Sequence, residues 1–126
     1  MRIKESGENY LETILILKQQ LGYVRSIDVA HHLGVSKPSV SVAMKILRED
    51  GYITVDEAGN ISLTKNGTQI ADRMYERHQV IAKALIALGV SEETAFSDSC
   101  KIEHDLSQES FEKIKYFLEN SHKKPE

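Results

Sequence analysis

The sequence has few of the residues that mark turn-rich, disulfide-bonded or aromatic-packed proteins. Its 126 residues include one cysteine, two prolines, seven glycines and no tryptophan. So little proline and glycine argues against an all-β fold, and a lone Cys100 excludes an intrachain disulfide. Aromatic residues make up only 6% of the chain, so leucine, isoleucine, valine and alanine must form the core, as in helical proteins.

The sequence also lacks an apolar run long enough to cross a membrane and a segment that resembles a signal peptide. We therefore expect no membrane partner and a reducing, cytoplasmic setting. The formal net charge of -3 gives no overall basic bias. Between Arg25 and Arg48, however, the only acidic residue is Asp28. Phosphate affinity depends on local charge, so this segment is a candidate for nucleic-acid contacts.

Apolar periodicity and turn residues predict a mainly α fold with one β-hairpin. The inward stripes are expected to include Ile27, Ala30 and Leu33 in one short helix. In the next helix they are expected to include Val40, Met44 and Leu47. The predicted elements are a helix over 5–21, a helix over 26–33 capped by Ser26, a helix capped by Ser36 and ending near 50, strands over 52–55 and 61–63, a long helix over about 64–88, and two further helices capped by Ser91 and Ser107.

Two helices joined by a Gly34 turn, with a hairpin directly after them, indicate a winged helix-turn-helix over residues 1–66. Residues 67–126 then form a helical metal-binding and dimerisation domain. The second helix of the motif begins with short hydroxyl side chains, which allow close approach to the major groove of DNA. An ordinary helical hairpin with solvated side chains is the alternative. The candidate DNA-contacting residues are Arg25, Ser36, Lys37, Pro38, Ser39, Ser41, Lys45 and Arg48.

An unusual group of potential metal ligands occupies the second half of the chain. Cys100, Glu103 and His104 are spaced i, i+3 and i+4, which places them on one face of a helix. On the preceding long helix, His78 is expected to face inward. Burying a carboxylate and imidazoles is costly unless they are paired or bound to a metal. Two interpretations remain open at this point: a transition-metal site, or a hydrogen-bonded His–Glu pair beside a packed cysteine.

Five segments, in order along the chain, resemble the diphtheria-toxin-repressor family of metal-dependent repressors. The segments are Gly7 to Ile14 (GENYLETI), Ala30 to Val40 (A-X-X-L-X-V-X-X-PSV), Leu63 to Gly67 (LT-X-X-G), Arg77-His78, and Cys100 to Ser107 (CKIEH-X-LS). Because the sequence ends after the dimerisation region, it resembles the short manganese-transport-regulator branch, which lacks an SH3-like domain. The resemblance implies metal ligands at Asn9, Glu12, His78, Cys100, Glu103 and His104, drawn from both sides of the junction between the two domains.

Two of these positions depart from the family pattern. Manganese regulators typically have Asp where this chain has Asn9, and Glu where it has Cys100. Iron-responsive members have Cys at the latter position but Met at the former. The set is therefore a hybrid, and Fe²⁺ or Mn²⁺ is the expected ion, with Zn²⁺ or Co²⁺ as alternatives. Phe96 and Ala82 occupy positions where a second family site needs ligands, so that site is expected to be absent.

The combined prediction is a metal-activated repressor, not an enzyme, that binds a palindromic DNA operator as a homodimer near metal-uptake genes. One alternative is a regulator that needs no metal and uses Cys100 as a redox sensor. Another is a small metallohydrolase with Glu103 as general base. Dimerisation is expected because the second half has more apolar side chains than short helices can bury internally. These are Leu85, Leu88, Val90, Phe111, Ile114, Phe117 and Leu118.

Overall fold

The structure, a computed structural model, describes residues 5–121. Within that range it contains six helices and one antiparallel hairpin, as the periodicity predicts. The elements are α1 (Glu5–Leu21), α2 (Ser26–Leu33), α3 (Lys37–Glu49), β1 (Ile53–Val55), β2 (Ile61–Leu63), α4 (Lys65–Ala87), α5 (Glu92–Ile102) and α6 (Gln108–Ser121). None of these helices combines the length and apolar character needed to span a bilayer.

The chain divides into two compact units, and the boundary falls within α4. One unit ends at Arg73 and the next begins at Met74. The first unit contains α1 to α3, the hairpin and the start of α4, in the order of a winged helix-turn-helix. The second contains the rest of α4 together with α5 and α6.

Apolar side chains from every element of the first unit form its core. The predicted stripe of α3 is confirmed, since Val40, Met44 and Leu47 are all buried. The prediction for α2 was wrong at one position, because Ile27 is exposed and Val29 is buried instead. This helix has only eight residues and buries the face shared by Val29 and Ala30, so Ile27 lies to one side of that face.

The N-cap of helix α2 lies one residue earlier than predicted. Its N-cap is Arg25, and Ser26 is the first helical residue. The Asp28 side chain accepts a hydrogen bond of 2.9 Å from the Arg25 backbone N–H, so a carboxylate in the first turn replaces the expected serine cap. At the other end, Gly34 adopts a left-handed conformation with φ 68° and donates its N–H to the Ala30 carbonyl.

The hairpin is joined to the loop between α1 and α2. Strand β1 pairs with β2 in the register Ile53↔Leu63 and Val55↔Ile61. The Ile61 N–H donates to the Val24 carbonyl at 2.7 Å, and the Val24 N–H donates to the Asn60 side chain at 3.1 Å. These bonds attach the start of β2 to the segment that precedes α2, which fixes the wing against the helix-turn-helix.

The start of α4 packs directly against the hairpin. The Thr64 hydroxyl donates to the Gly51 carbonyl at 2.7 Å and accepts from the Gly67 N–H at 3.2 Å. A Cβ atom at Gly67 would collide with the Tyr52 carbonyl oxygen, a backbone atom. The Leu63 to Gly67 motif therefore has a structural reason, because threonine caps the helix and glycine allows its close approach to the chain.

In the second unit, each of the three helical segments buries apolar side chains, namely Met74, Ile81, Ala95 and Phe111. The predicted cap of α6 is confirmed, since the Ser107 hydroxyl accepts from the Ser110 N–H at 3.1 Å. Some predicted apolar positions stay open to solvent: Leu88 is 79% exposed and Phe117 is 73% exposed.

Candidate nucleic-acid interface and metal centre

The outward face of α3 carries the predicted DNA-contacting groups. Its inward face is formed by Val40, Met44 and Leu47, and the other side chains of this helix are exposed except the half-buried Ala43. The Ser36 hydroxyl caps the helix by accepting from the Ser39 N–H at 3.3 Å. Eight predicted residues are exposed: Arg25, Ser36, Lys37, Pro38, Ser39, Ser41, Lys45 and Arg48. Three of the eight, Lys37, Lys45 and Arg48, place positive charge on α3, which suits an approach to phosphate.

Arg25 is held close to the wing by Tyr23, whose role no sequence pattern indicated. Its Nη2 donates to the Tyr23 hydroxyl at 3.4 Å, and its Cζ lies 5.2 Å from the centre of the Tyr23 ring. The Tyr23 hydroxyl in turn donates to the Ala58 carbonyl in the hairpin turn at 3.1 Å. The hydrogen bond with Tyr23 raises the pKa of the Arg25 guanidinium, a group that is positively charged at any physiological pH. Tyr23 thus links a cation on one side of the motif to the wing.

The second unit brings four of the predicted metal ligands together. The His78 Nδ1 atom lies 2.9 Å from Oε2 of Glu103 and 3.7 Å from Sγ of Cys100. The other Glu103 oxygen, Oε1, lies 3.5 Å from Nε2 of His104. Glu103 is fully buried, the His104 side chain is 5% exposed, and Cys100 is exposed. The carboxylate is therefore enclosed by two imidazoles, with a thiol at the solvent side.

The predicted helical spacing of these ligands was wrong in one respect. Helix α5 ends at Ile102, Glu103 is its C-cap residue, and His104 lies in the turn that follows. The Glu103 N–H still donates to the Ser99 carbonyl at 3.0 Å, so the carboxylate stays close to the last helical turn. The chain then continues as a hydrogen-bonded turn, in which the Asp105 and Leu106 N–H groups donate to the Ile102 carbonyl, until Ser107 caps α6 four residues after Glu103.

Arg77 holds this turn in place. Its Nη1 donates to the backbone carbonyls of Glu103 at 3.0 Å and Leu106 at 2.6 Å. Its Nη2 donates to the Gln108 side chain at 2.9 Å, and its Cζ lies 5.2 Å from the centre of the Phe111 ring. Arg77 directly precedes His78 on α4. One helix therefore provides both a ligand candidate and the group that fixes the turn with Glu103 and His104.

The two remaining ligand candidates belong to α1 in the first unit. Glu12 is 5% exposed, although it lies between the core residues Leu11 and Ile14. Asn9 is exposed. A carboxylate is seldom buried, and when it is, a partner or an ion must offset the loss of hydration. The buried Glu12 carboxylate therefore needs a partner or an ion, whereas the exposed Asn9 amide needs neither.

The donors of the second unit fit a divalent transition ion. Ligand atoms that each lie about 2.0 to 2.3 Å from one ion are roughly 3 to 4 Å apart, and the distances above fall in or near that range. Imidazole, carboxylate and thiolate are ligands of Fe²⁺, Co²⁺ and Zn²⁺, and a thiolate is unusual for Mn²⁺. At the positions of the second family site, Ala82 is buried and the Phe96 ring lies 5.4 Å from the His78 ring. Neither side chain offers a donor atom.

Two family models match nearly the whole chain. The iron-dependent repressor N-terminal DNA-binding domain matches residues 2–60, and the iron-dependent repressor metal-binding and dimerisation domain matches residues 64–126. Together they cover the unit that displays α3 and the unit that holds the ligand cluster.

Curated relatives agree with the family models. The transcriptional regulator MntR of Escherichia coli O6:H1 is 34% identical over 116 residues, which is 92% of this chain and 75% of that protein. The HTH-type transcriptional regulator MntR of Geobacillus kaustophilus is 35% identical over 119 residues, which is 91% of this chain and 84% of that protein. Both relatives are regulators of transcription rather than enzymes.

Solved structures show the same fold. The manganese regulator SloR matches with a TM-score of 0.79 and 26% identity over 94% of this chain, and the metal-dependent regulator MtsR with a TM-score of 0.82 and 26% identity over 90%. The chain spans 55% and 53% of these two solved chains. The chain belongs to the iron-dependent repressor family, which is the diphtheria-toxin-repressor family that its five sequence segments resemble, and is a metal-dependent, DNA-binding regulator of transcription.

Proposed function

We propose that this chain is a repressor that a divalent transition-metal ion activates for DNA binding. The observation that carries the proposal is the cluster in the second unit, where the buried Glu103 carboxylate lies 2.9 Å from His78 and 3.5 Å from His104. Cys100 adds a thiol at 3.7 Å from His78. The family resemblance adds Glu12 to this ligand set and Asn9 as its weakest member.

The proposed physiological ion is Fe²⁺ or Mn²⁺. SloR is a manganese regulator and the two curated relatives are MntR proteins, and the structure of ScaR with bound Zn²⁺ matches this chain at 25% identity. Cys100 distinguishes this ligand set, because a thiolate is a softer ligand than the carboxylate that manganese regulators have at the position. The thiolate favours Fe²⁺, Zn²⁺ and Co²⁺ relative to Mn²⁺.

Metal and DNA binding are coupled in this proposal. An ion raises DNA affinity only if it binds the DNA-competent form of the protein more tightly than the other forms. The difference in ion affinity between these forms arises if the ligand atoms have the arrangement that the ion needs only in the DNA-competent form. By reciprocity, operator DNA raises the affinity of the protein for its ion by the same factor.

The proposed DNA target is a palindromic operator, contacted in the cytoplasm by a homodimer that controls metal-uptake genes. Helix α3 enters the major groove with its hydroxyl-rich first turns, and the wing lies along the backbone. The exposed Leu88 and Phe117 side chains of the second unit support dimerisation. A chain that sediments as a monomer at micromolar concentration would contradict this part of the proposal.

The test is a titration of operator DNA in anaerobic, reducing buffer with a chelator, Fe²⁺, Mn²⁺ or Zn²⁺. The operator is first selected from random duplexes by the metal-loaded protein. We expect at least one ion to raise the affinity and a Glu103→Ala, His104→Ala variant to lose that response. Equal affinity in all conditions, with metal binding unchanged in the variant, would favour a regulator that needs no metal, such as a redox sensor based on Cys100.

A further inference from the structure

Two exposed apolar side chains occupy the face of α3 that points away from the core. Val42 is 60% exposed and Ile46 is 51% exposed. They lie one helical turn apart, so their side chains are neighbours on the helix surface. Neither belongs to the buried stripe of Val40, Met44 and Leu47.

A single exposed apolar residue is ordinary on a protein surface, so exposure alone means little. What distinguishes this pair is its surroundings. Ser39 lies one turn before Val42, and Lys45 lies between the two apolar residues in sequence, and both of these polar side chains are exposed. The pair thus lies within the face whose capped N-terminus and positive charges suit DNA, in a segment that matches a DNA-binding domain.

The chemistry of these side chains limits what they can recognise. Valine and isoleucine have no hydrogen-bond donor or acceptor, so they cannot read the polar edge of a guanine, cytosine or adenine. The major groove offers one prominent apolar feature, the C5-methyl group of thymine. A β-branched side chain is also stiff at χ1, so little side-chain entropy is lost when it packs against that methyl group.

We propose that Val42 and Ile46 read thymine methyl groups in the operator and thereby determine part of its sequence. The inference rests on the proposed contact between α3 and the major groove. It assigns to each half-site at least one A·T pair whose thymine methyl contacts α3. Removing one methyl group from such a contact should lower DNA affinity about fourfold, because this is the ratio that corresponds to the usual free energy of burying one methylene group.

The experiment replaces thymine by uracil in the selected operator, one symmetric pair of positions at a time. This change removes only the C5-methyl group and leaves base pairing intact. We expect one or two positions per half-site at which the metal-loaded, full-length wild-type protein loses about fourfold in affinity for each methyl removed. Val42→Ala or Ile46→Ala should weaken binding to the thymine operator and remove the penalty at its own position.

Lys45→Ala is the matched control on the same helix face. It should weaken binding and reduce the salt dependence while the uracil penalties stay as in the wild type. Because the three side chains are exposed, the variants should keep the wild-type circular dichroism and unfolding curve. If metal-dependent operator binding is intact but uracil changes nothing at any position, the inference is wrong and the proposed function stands. If no duplex is selected under any metal condition, both are overturned.

Discussion

The Arg77 guanidinium donates a 2.6 Å hydrogen bond to the Leu106 carbonyl and so ties α4 to the turn that carries Glu103 and His104. The same side chain also bonds the Glu103 carbonyl at 3.0 Å. Arg77 and Glu103 are both buried, so loss of the guanidinium would remove a donor from a buried carbonyl group. The position of two candidate ligands therefore depends on a residue that offers no metal-binding atom itself.

Arg77→Met should destabilise the protein and weaken metal binding. Leaving buried acceptors unpaired costs about 1 to 3 kcal/mol, which urea unfolding can measure. In buffer without urea, where the variant is folded, calorimetric titration should show a lower affinity for Mn²⁺ than that of the wild type. Arg73→Met is the control on the same helix, because the Arg73 side chain is half exposed and lies as far as 3.6 Å from its ion-pair partner Glu8. Its effect on stability should stay within about 1 kcal/mol. Equal metal affinity for both variants would contradict the positioning role of Arg77.

Tyr23→Phe should weaken operator binding without a change in fold. The change removes the hydroxyl that joins Arg25 to the Ala58 carbonyl in the wing. A neutral hydrogen bond contributes about 0.5 to 1.5 kcal/mol, so we expect a loss of roughly 2- to 10-fold in affinity, measured by fluorescence anisotropy. Tyr116→Phe, at a tyrosine that is exposed on α6, is the control. The account of the wing is wrong if the two variants bind equally well.

Gly67→Ala should destabilise the first unit. The added Cβ meets the Tyr52 carbonyl oxygen, which is a backbone atom and cannot move aside without shifting the hairpin. Overpacking of this kind costs about 1 to 3 kcal/mol, despite the higher helix propensity of alanine. The control is Asn66→Ala, at the exposed neighbouring position, which should be neutral or slightly stabilising. Urea unfolding curves of the two variants provide the measurement, and a Gly67→Ala variant as stable as the wild type would refute the close approach.

Cys100→Glu should shift the metal response toward Mn²⁺. A carboxylate replaces the thiol that lies 3.7 Å from His78, and carboxylates suit Mn²⁺ better than thiolates do. Operator binding is measured against each ion, and the ratio of the Mn²⁺ to the Fe²⁺ response should rise relative to the wild type. Cys100→Ser, which removes the thiolate without adding a carboxylate, is the control. An unchanged ratio in Cys100→Glu would show that Cys100 does not select the ion.

The sequence predicted those parts of the molecule that local periodicity determines. Val40, Met44 and Leu47 recur at helical spacing over 13 residues of α3, so one buried face follows from the pattern. The pattern fails where an element is short, and for that reason Ile27 was assigned to the wrong side of α2. It also fails at helix ends, where the Asp28 side chain replaced Ser26 as the cap and α5 ended before Glu103.

In the candidate sites, too, the sequence indicated some residues, and it could not indicate those whose role depends on contacts far along the chain. Helical spacing and the family resemblance both indicated His78, Cys100, Glu103 and His104, and the structure brings these four side chains together in the second unit. The sequence could not indicate the role of Tyr23, because that residue acts through a contact with Ala58, 35 positions away in the sequence. Arg77 was visible only as the neighbour of a ligand, since its acceptors lie 26 to 31 positions further along the chain.

The most direct test of the central claim is the affinity of the wild-type protein for its selected operator, measured with a chelator and then with saturating Fe²⁺ or Mn²⁺ in the same anaerobic buffer. A coupling free energy of the usual size, about 1 to 3 kcal/mol, predicts an increase of roughly 5- to 150-fold with at least one of these ions. The same affinity with the chelator and with both ions would contradict the claim that metal binding controls DNA binding.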